Sequence, residues 1–401
     1  MREYSLLRRT RRAATRGPFD LTTLSFTAAA MPPPDDPFDI VVERAQLTEH
    51  EVVDVAADPS VAALTPTMPT RLIAPIATSL AAAARGPASP AWGITAVRAD
   101  TSPYDGTGVT VAILDTGIDA SHAAFTGVQL VEKDFTATGN GDGHGHGTHC
   151  AGTVFGRDVA GSRIGIARGV PRALIGKVLA ANGSGRSDWI QDAVLWAGRE
   201  GAQVISMSIG LDFTATVGEL VATGVPLVAA TSIALEQYRA NVRAFDALLM
   251  MFRARAAFER GTVIVAATGN ESDRDARPPH VPYRVAASLP AAASGVIAVA
   301  AVGKQPAGLA VAGFSNTYPQ LCAPGVEIVS AKAGGGVVAM SGTSMATPHA
   351  AGVAALWWQH LGVAAREPIV TAQLIASSRS GVFASSPDPA DIGAGVITAP
   401  Q

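Results

Sequence analysis

The chain has 401 residues, of which 48% are hydrophobic and 16% charged, with a formal net charge of −3. This length suits one large α/β domain plus a smaller piece, with ample apolar material for a core. The near-neutral balance gives no electrostatic reason for a nucleic-acid or anionic-membrane partner, and no apolar run approaches the ~18 residues that a membrane span needs.

The N-terminal stretch MREYSLLRRTRRAATRGPFDL is basic, and Arg8-Arg9 is followed by Thr10, Arg11 and Arg12 rather than by an apolar core. Neither a secretory nor a twin-arginine signal is read, because either needs an apolar run of about 7–15 residues. By sequence alone the expectation is cytoplasmic. Cys150 and Cys322 make no disulfide framework; two free thiols are expected, with one bridge as the alternative. Residues 1–37, Arg-rich and then Pro-rich from Met31 to Pro37, read as a disordered extension.

From Phe38 the character changes. FDIVVE (Phe38 to Glu43) reads as a strand, and Leu47 to Leu64 as a helix opened by a Thr48–Glu51 capping box, stopped at Asp58-Pro59 and followed by an extended piece. Residues 38–79 thus form a small α+β segment. Residues 80–91 are a linker by composition, and the main domain runs over 92–401.

In that domain Val109 to Asp119 (VTVAILDTGID) opens with the continuous apolar run of a buried parallel strand, and Asp115 stands at its carboxyl end. Open α/β sheets hold their chemistry at such ends. A helix starts near His146, Ala173 to Leu179 is a strand, and Ser187 to Gly201 is a helix ending at glycine. Ala202 to Gly210, Thr262 to Asn270 and Gly295 to Gly303 are further buried strands. The alternation predicts an α/β fold, a mostly parallel sheet with helices on both faces. Between Ile233 and Arg260 the residues Leu235, Tyr238, Val242, Phe245, Leu249 and Phe252 recur at three- and four-residue steps. They predict a long amphipathic helix packed on the sheet, with a partner-binding face as the rival reading.

Ser341 to Leu356 (SGTSMATPHAAGVAAL) is a small-residue turn running into an alanine-rich helix. It puts Ser344 at or just before the first helical residue and Pro348 in the first turn, where free N–H groups favour developing negative charge. A serine there is a helix cap or a nucleophile; partners decide. Asp115, His146 in GDGHGHGTHCAGT and Ser344 are the residue types of acyl transfer, in one of the known chain orders of that triad. Asn270, at a strand end, supplies an amide that can donate to an oxyanion together with the Ser344 N–H.

Two rival chemistries fit parts of the same residues. DTG at Asp115 also fits an aspartic protease, but one copy would require a dimer. Asp142, His144, His146, His149 and Cys150 are crowded enough to suggest zinc, although the interleaved glycines scaffold ligands poorly. His122 and His349 read as structural histidines, and Ser184 and Ser208 as ordinary loop or strand serines.

DTGID, HGTHCAGT, SMSIG, ATGN and GTSMATPHAAG, in this order, resemble the subtilisin-like serine proteases, the subtilase family, from Trp92 to the C-terminus. The resemblance implies a seven-stranded parallel core and a serine endopeptidase with Asp115, His146 and Ser344 as triad and Asn270 as oxyanion donor. It implies that Gly183, Ser184, Gly185 on one side and Ser208, Ile209, Gly210 on the other flank an extended peptide or protein substrate. Cys150 resembles the proteinase K-like, thiol-dependent members. No cofactor is required for the chemistry. Structural calcium is implied through loop carbonyls and acidic groups, with no site matched residue by residue and Asp158 in a suitable loop. Of the family's compact propeptide only Phe38 to Ile76 is matched, and the N-terminal segment is an expected inhibitor. The stretch 211–261 is a helical insertion that reshapes the specificity pocket. The alternatives to a general endopeptidase are a narrow-specificity processing protease and a non-catalytic peptide-binding scaffold. Family analogy points to secretion; metal ligands and oligomeric state stay undefined.

Overall fold

A computed structural model describes residues 1–10, 40–76, 90–256 and 260–401. The chain begins with a strand, β1 (Arg2–Arg9), followed by β2 (Ile40–Leu47), α1 (Glu49–Ala56) and β3 (Val61–Pro66). They form one antiparallel sheet in the order β2-β1-β3. The expectation of disorder over residues 1–37 is therefore corrected for residues 2–9, while residues 11–39 lie outside the described residues. The physical reason is two-sided pairing. β1 is the middle strand, with Leu7 opposite both Val42 and Ala63. Its Leu6 and Leu7 are buried, and Arg8 is held by Glu43, Asp58 and Ser60. The Thr48–Glu51 capping box is present on α1, with both reciprocal bonds made.

A fourth strand, β4 (Pro69–Leu72), leaves this sheet. The main domain follows, from α2 (Trp92–Ala96) through β5 (Thr110–Asp115), β6 (Gln129–Asp134), α3 (His146–Phe155), β7 (Arg172–Lys177), β8 (Ser184–Arg186) and α4 (Ser187–Arg199). Next come β9 (Val204–Met207), β10 (Ile209–Leu211), α5 (Phe213–Ala222), α6 (Leu227–Ala256), β11 (Val263–Ala267), β12 (Val296–Gln305) and β13 (Gly308–Val311). The chain closes with β14 (Leu321–Pro324), β15 (Ile328–Ala331), β16 (Val337–Met340), α7 (Thr343–Leu361), α8 (Glu367–Ala376) and α9 (Pro389–Ile392). The linker expected over 80–91 falls almost wholly outside the described residues.

The central sheet runs β13-β12-β11-β9-β5-β7-β6, with β14 also paired to β12. Every pairing in it is parallel except β12 with β13, so seven parallel strands carry one antiparallel edge. Side chains alternate across it: on β5, Val111 and Ile113 enter the core beneath α3 and α7, whereas Ala112 and Leu114 enter the opposite core against α4 and α6. The N-terminal sheet docks on this second face, where Leu7 and Ile40 join Trp196 and Phe245.

Among the described residues, the stretch 211–261 expected as a helical insertion holds two helices, α5 and α6. α6 begins six residues before the predicted helix, and its buried stripe is Phe245, Leu249 and Phe252, with Tyr238 and Val242 partly covered. Leu235 departs from the predicted pattern and is 50% exposed. α6 packs on the sheet and also on the N-terminal segment, where Asn241 Nδ2 donates to the Pro66 carbonyl at 2.9 Å.

Candidate active site

Asp115 ends β5, and its Oδ1 lies 2.8 Å from Nδ1 of His146, the first residue of α3. This approach requires glycine: a Cβ on Gly147 would stand 2.2 Å from the Gly117 carbonyl oxygen. The loop is tied by Asp142, which accepts from Thr116 Oγ1, from the N–H groups of His144 and Gly145, and from both N–H and hydroxyl of Thr148. Burial alone would raise the Asp142 carboxyl, but those hydrogen bonds hold it below its ordinary value. Asp142 thus serves the loop.

Of the residues crowded enough to suggest zinc, His146 and Cys150 come together beside Asp115, whereas His149 turns away, and His349 and His122 also bond the backbone. His149 Nε2 turns to the Ile328 carbonyl at 2.9 Å, and burial pushes the imidazole down to about 3. His349 bonds the Met345 carbonyl and is pushed down by burial to about 4. His122 caps the turn at Ala124 and meets the Gly336 carbonyl. All three are held by the backbone, and His149 Nδ1 has no hydrogen-bond partner among the described residues. Asp158, in the loop that suits structural calcium, lies half-exposed 3.6 Å from the Arg168 guanidinium.

His146 behaves differently. Its burial lowers the imidazole pKa, yet the adjacent Asp115 carboxylate outweighs this and raises it well above the ordinary value. The neighbouring Cys150, whose own thiol is pushed up by burial, adds to the same rise.

Ser344 is the second residue of α7, and the helix therefore starts one residue earlier than its expected cap. Pro348 falls in the second turn, not the first. Without an N–H it cannot bond the Ser344 carbonyl four residues back, the partner a helix would otherwise supply. That carbonyl accepts instead from Ser208 Oγ at 3.3 Å and Cys150 Sγ at 3.4 Å. Asn270 sits beside it, its Oδ1 accepting from both N–H and hydroxyl of Thr343 at 2.9 Å. Gly342 leaves room, since a Cβ there would be 2.9 Å from Asn270 Nδ2.

The cleft is filled by the chain itself. β4 lies antiparallel between β8 and β10, with Thr70 opposite Gly185, Arg71 opposite both Ser184 and Gly210, and Leu72 opposite Ile209. Leu72 N–H donates to the Gly183 carbonyl at 2.8 Å, and Ile73 N–H faces the Ser208 carbonyl at 3.5 Å. All six expected flanking residues therefore border one extended segment. Ser344 Oγ donates to the Ile73 carbonyl at 2.9 Å, Asn270 Nδ2 to the Ala74 carbonyl at 2.9 Å, and Ile76 N–H to the Ser341 carbonyl at 2.8 Å. Ser344 and Asn270 thus address consecutive carbonyls. The serine proton is directed to Ile73, and His146 Nε2 has no hydrogen-bond partner among the described residues. The insertion reaches this cleft through Tyr238, whose hydroxyl accepts from Leu289 N–H at 3.0 Å, next to Ser288 at the Gly210 wall.

Sequence reasoning did not single out Thr343, which anchors Asn270, or Asn316, whose Oδ1 accepts from Glu271 N–H and Ser272 N–H and orders the turn after Asn270. Adjacency of Thr343 to Ser344 was the available signal; Asn316 had none.

Cys150 and Cys322 are both buried and free, which removes the disulfide alternative. Cys150 Sγ lies 3.7 Å from His146 Nδ1. Buried and protonated, it is a poor nucleophile. Iodoacetamide is expected to leave peptidase activity nearly unchanged, whereas a mercurial inhibits by displacing the imidazole. Cys150→Ser should stay active and resist the mercurial, and Cys322→Ser should remain sensitive. Inactivity of Cys150→Ser, or protection that follows Cys322, would contradict this placement.

Residues 106–382 match the family model described as the subtilase family. The subtilisin-like serine protease Pen c 1 of Penicillium citrinum is 30% identical over 80% of this chain and 70% of its own. A thermophilic serine proteinase of a Bacillus species is 32% identical over 62% of this chain and 52% of its own. Subtilisin-like protease 6 of Trichophyton tonsurans is 34% identical over 66% and 57%.

Proposed function

Since the chain belongs to the subtilase family and is a serine-type endopeptidase, we propose that Asp115, His146 and Ser344 are its triad and Asn270 its oxyanion donor. Ser344 Oγ attacks the scissile carbonyl while His146 Nε2 takes its proton. Asp115 holds Nδ1–H and stabilises the imidazolium. The negative oxygen is met by Asn270 Nδ2 and the Ser344 N–H at the start of α7. His146 then returns the proton to the leaving amine. Water, deprotonated by the same imidazole, releases the acyl chain. Each proton transfer is assigned to a residue, so the chemistry needs no cofactor.

The observation that carries this reading is the bond from Ser344 Oγ to the Ile73 carbonyl, beside a His146–Asp115 pair that Cys150 Sγ joins to the Ser344 carbonyl. It also supports the N-terminal segment as a resident inhibitor and Ile73–Ala74 as the first bond cut, for which Asn270 Nδ2 exchanges the Ala74 carbonyl it holds for the Ile73 oxygen as charge develops there. Glu3 pairs with Arg186, Arg44 with Asp188, and Ser5 with Gln191, so the segment docks through its sheet as well as its strand. The serine hydroxyl donates to a carbonyl rather than to His146, which fits an occupant held before attack.

A fluorophosphonate probe tests the assignment. It should label one residue, Ser344, once residues 70–76 have left the cleft, and a non-catalytic peptide-binding scaffold would not react. Because only neutral His146 accepts the serine proton, and its pKa is raised, labelling should be slow in acid and grow as pH climbs through that raised value. A half-maximal rate below about pH 6, under the ordinary imidazole range, would contradict the pairing with Asp115.

A further inference from the structure

Arg71 stands in the cleft opposite Gly210, two residues before Ile73. Its guanidinium lies between two carboxylates on different walls. Nη2 is 3.0 Å from Glu271 Oε1, and Nη1 is 3.4 Å from Asp212 Oδ2. Glu271 follows Asn270, while Asp212 joins β10 to the first helix of the insertion.

Both carboxylates are fixed without help from the arginine. Asp212 Oδ1 caps α5, accepting from Ala215 N–H and Thr214 Oγ1 at 2.9 Å, which leaves Oδ2 for the cleft. Glu271 Oε2 accepts from the buried Asn316 amide at 2.7 Å, which leaves Oε1. Each side chain therefore spends one oxygen on the protein and turns the other towards the same point. Such preorganisation lowers the cost of ordering a bound cation. The neighbouring positions take a different chemistry: Leu72 and Ile73 are buried apolar side chains, the latter beside Gly210.

We propose that Asp212 and Glu271 form a specificity site for a basic side chain at the third residue before the scissile bond. The substrate class is then an extended peptide with a basic residue followed by two apolar ones, cut after the second. This rests on the serine endopeptidase reading and on Ile73–Ala74 as the register. The insertion contributes to selectivity by placing Asp212.

The test uses the full-length protein and fluorogenic peptides built on Thr-Arg-Leu-Ile-Ala-Pro, carrying arginine, its neutral isostere citrulline, or glutamate at the second position. The ratio of kcat/KM values within each protein is the readout. Partly solvated ion pairs are individually modest, so arginine should exceed citrulline by about tenfold through two of them. In the Asp212→Asn/Glu271→Gln double variant, whose amides keep an oxygen for the internal bonds, the ratio should fall to about one. In the Asp212→Lys/Glu271→Lys variant glutamate should become the preferred residue. Equal rates for arginine and citrulline in the unaltered protein, or a preference that survives in the neutral double variant, would overturn the proposal while leaving the peptidase reading intact. Faster loss of the N-terminal segment from the neutral variant, without any change in the peptide ratio, would show that the pair only latches Arg71, and would overturn it too. Absence of cleavage of every peptide, with no fluorophosphonate labelling, would overturn the peptidase reading and this inference with it.

Discussion

Ser344→Ala is expected to abolish peptide hydrolysis, by about 10⁶-fold in kcat, the loss known for subtilisin when its triad serine is removed. The fold should survive. Ser344 is fully buried in α7, its hydroxyl bonds the Ile73 carbonyl alone among the described residues, and the start of the helix is held independently by the Thr343–Asn270 bonds. The variant loses one hydrogen bond to the N-terminal segment and no packing partner. The same chain should also stay whole. Where the unaltered protein yields a product beginning at Ala74, the variant should show only its full-length mass, with a melting temperature within a few degrees. Turnover near the normal rate by Ser344→Ala would remove Ser344 from the mechanism. A full-length mass for the unaltered protein under conditions where it cleaves added peptide would move the first cut away from Ile73–Ala74.

The main domain was legible because its strands are buried on both faces and read as continuous apolar runs. Val109 to Asp115 announced itself, and the chemistry at its carboxyl end followed from the fold class. Motifs that need short-range geometry were equally readable: Gly147 and Gly342 are glycines because a Cβ at either would meet a neighbouring chain. What failed to register is tertiary. The strand at Arg2–Arg9 hides in a basic stretch, because Arg8 is neutralised only by Glu43 and Asp58, which arrive from distant sequence. Leu235 fits the helical period and is exposed all the same, since the face that this end of α6 buries is formed by Ala230, Ala234, Gln237 and Asn241. Pro348 was expected one turn too early, and the carbonyl it frees is noticed only once Ser208 and Cys150 are seen to reach it. Nothing local marks residues 70–76 as the occupant of the cleft. β4 has no partner in the N-terminal sheet and finds two in the main domain.

Asn270→Leu should lower kcat by about two to three orders of magnitude, the cost known for removing such a donor from a subtilisin, with KM changed only a few-fold. The inequality is the substance of the prediction. A substrate carbonyl carries partial charge and binds an amide donor weakly, whereas the tetrahedral intermediate carries a full negative oxygen in a water-poor site. The structure adds a complication peculiar to this residue. Asn270 Oδ1 accepts two bonds from Thr343, next to the nucleophile, so leucine removes an anchor as well as a donor. The Thr343 hydroxyl still accepts from Gly269 N–H, but its buried N–H is left without an acceptor, which costs about 1–3 kcal/mol and should appear as a lower melting temperature. Asn270→Asp separates the two roles. Its carboxylate keeps an oxygen for Thr343 and should recover stability, but it offers no donor and repels the developing charge, so kcat should stay as low as in the leucine variant or fall further. If Asn270→Asp recovered turnover together with stability, the anchor would be the catalytic contribution of Asn270 and the oxyanion role would pass to the Ser344 N–H alone. If either variant raised KM as much as it lowered kcat, the amide would be binding the ground state.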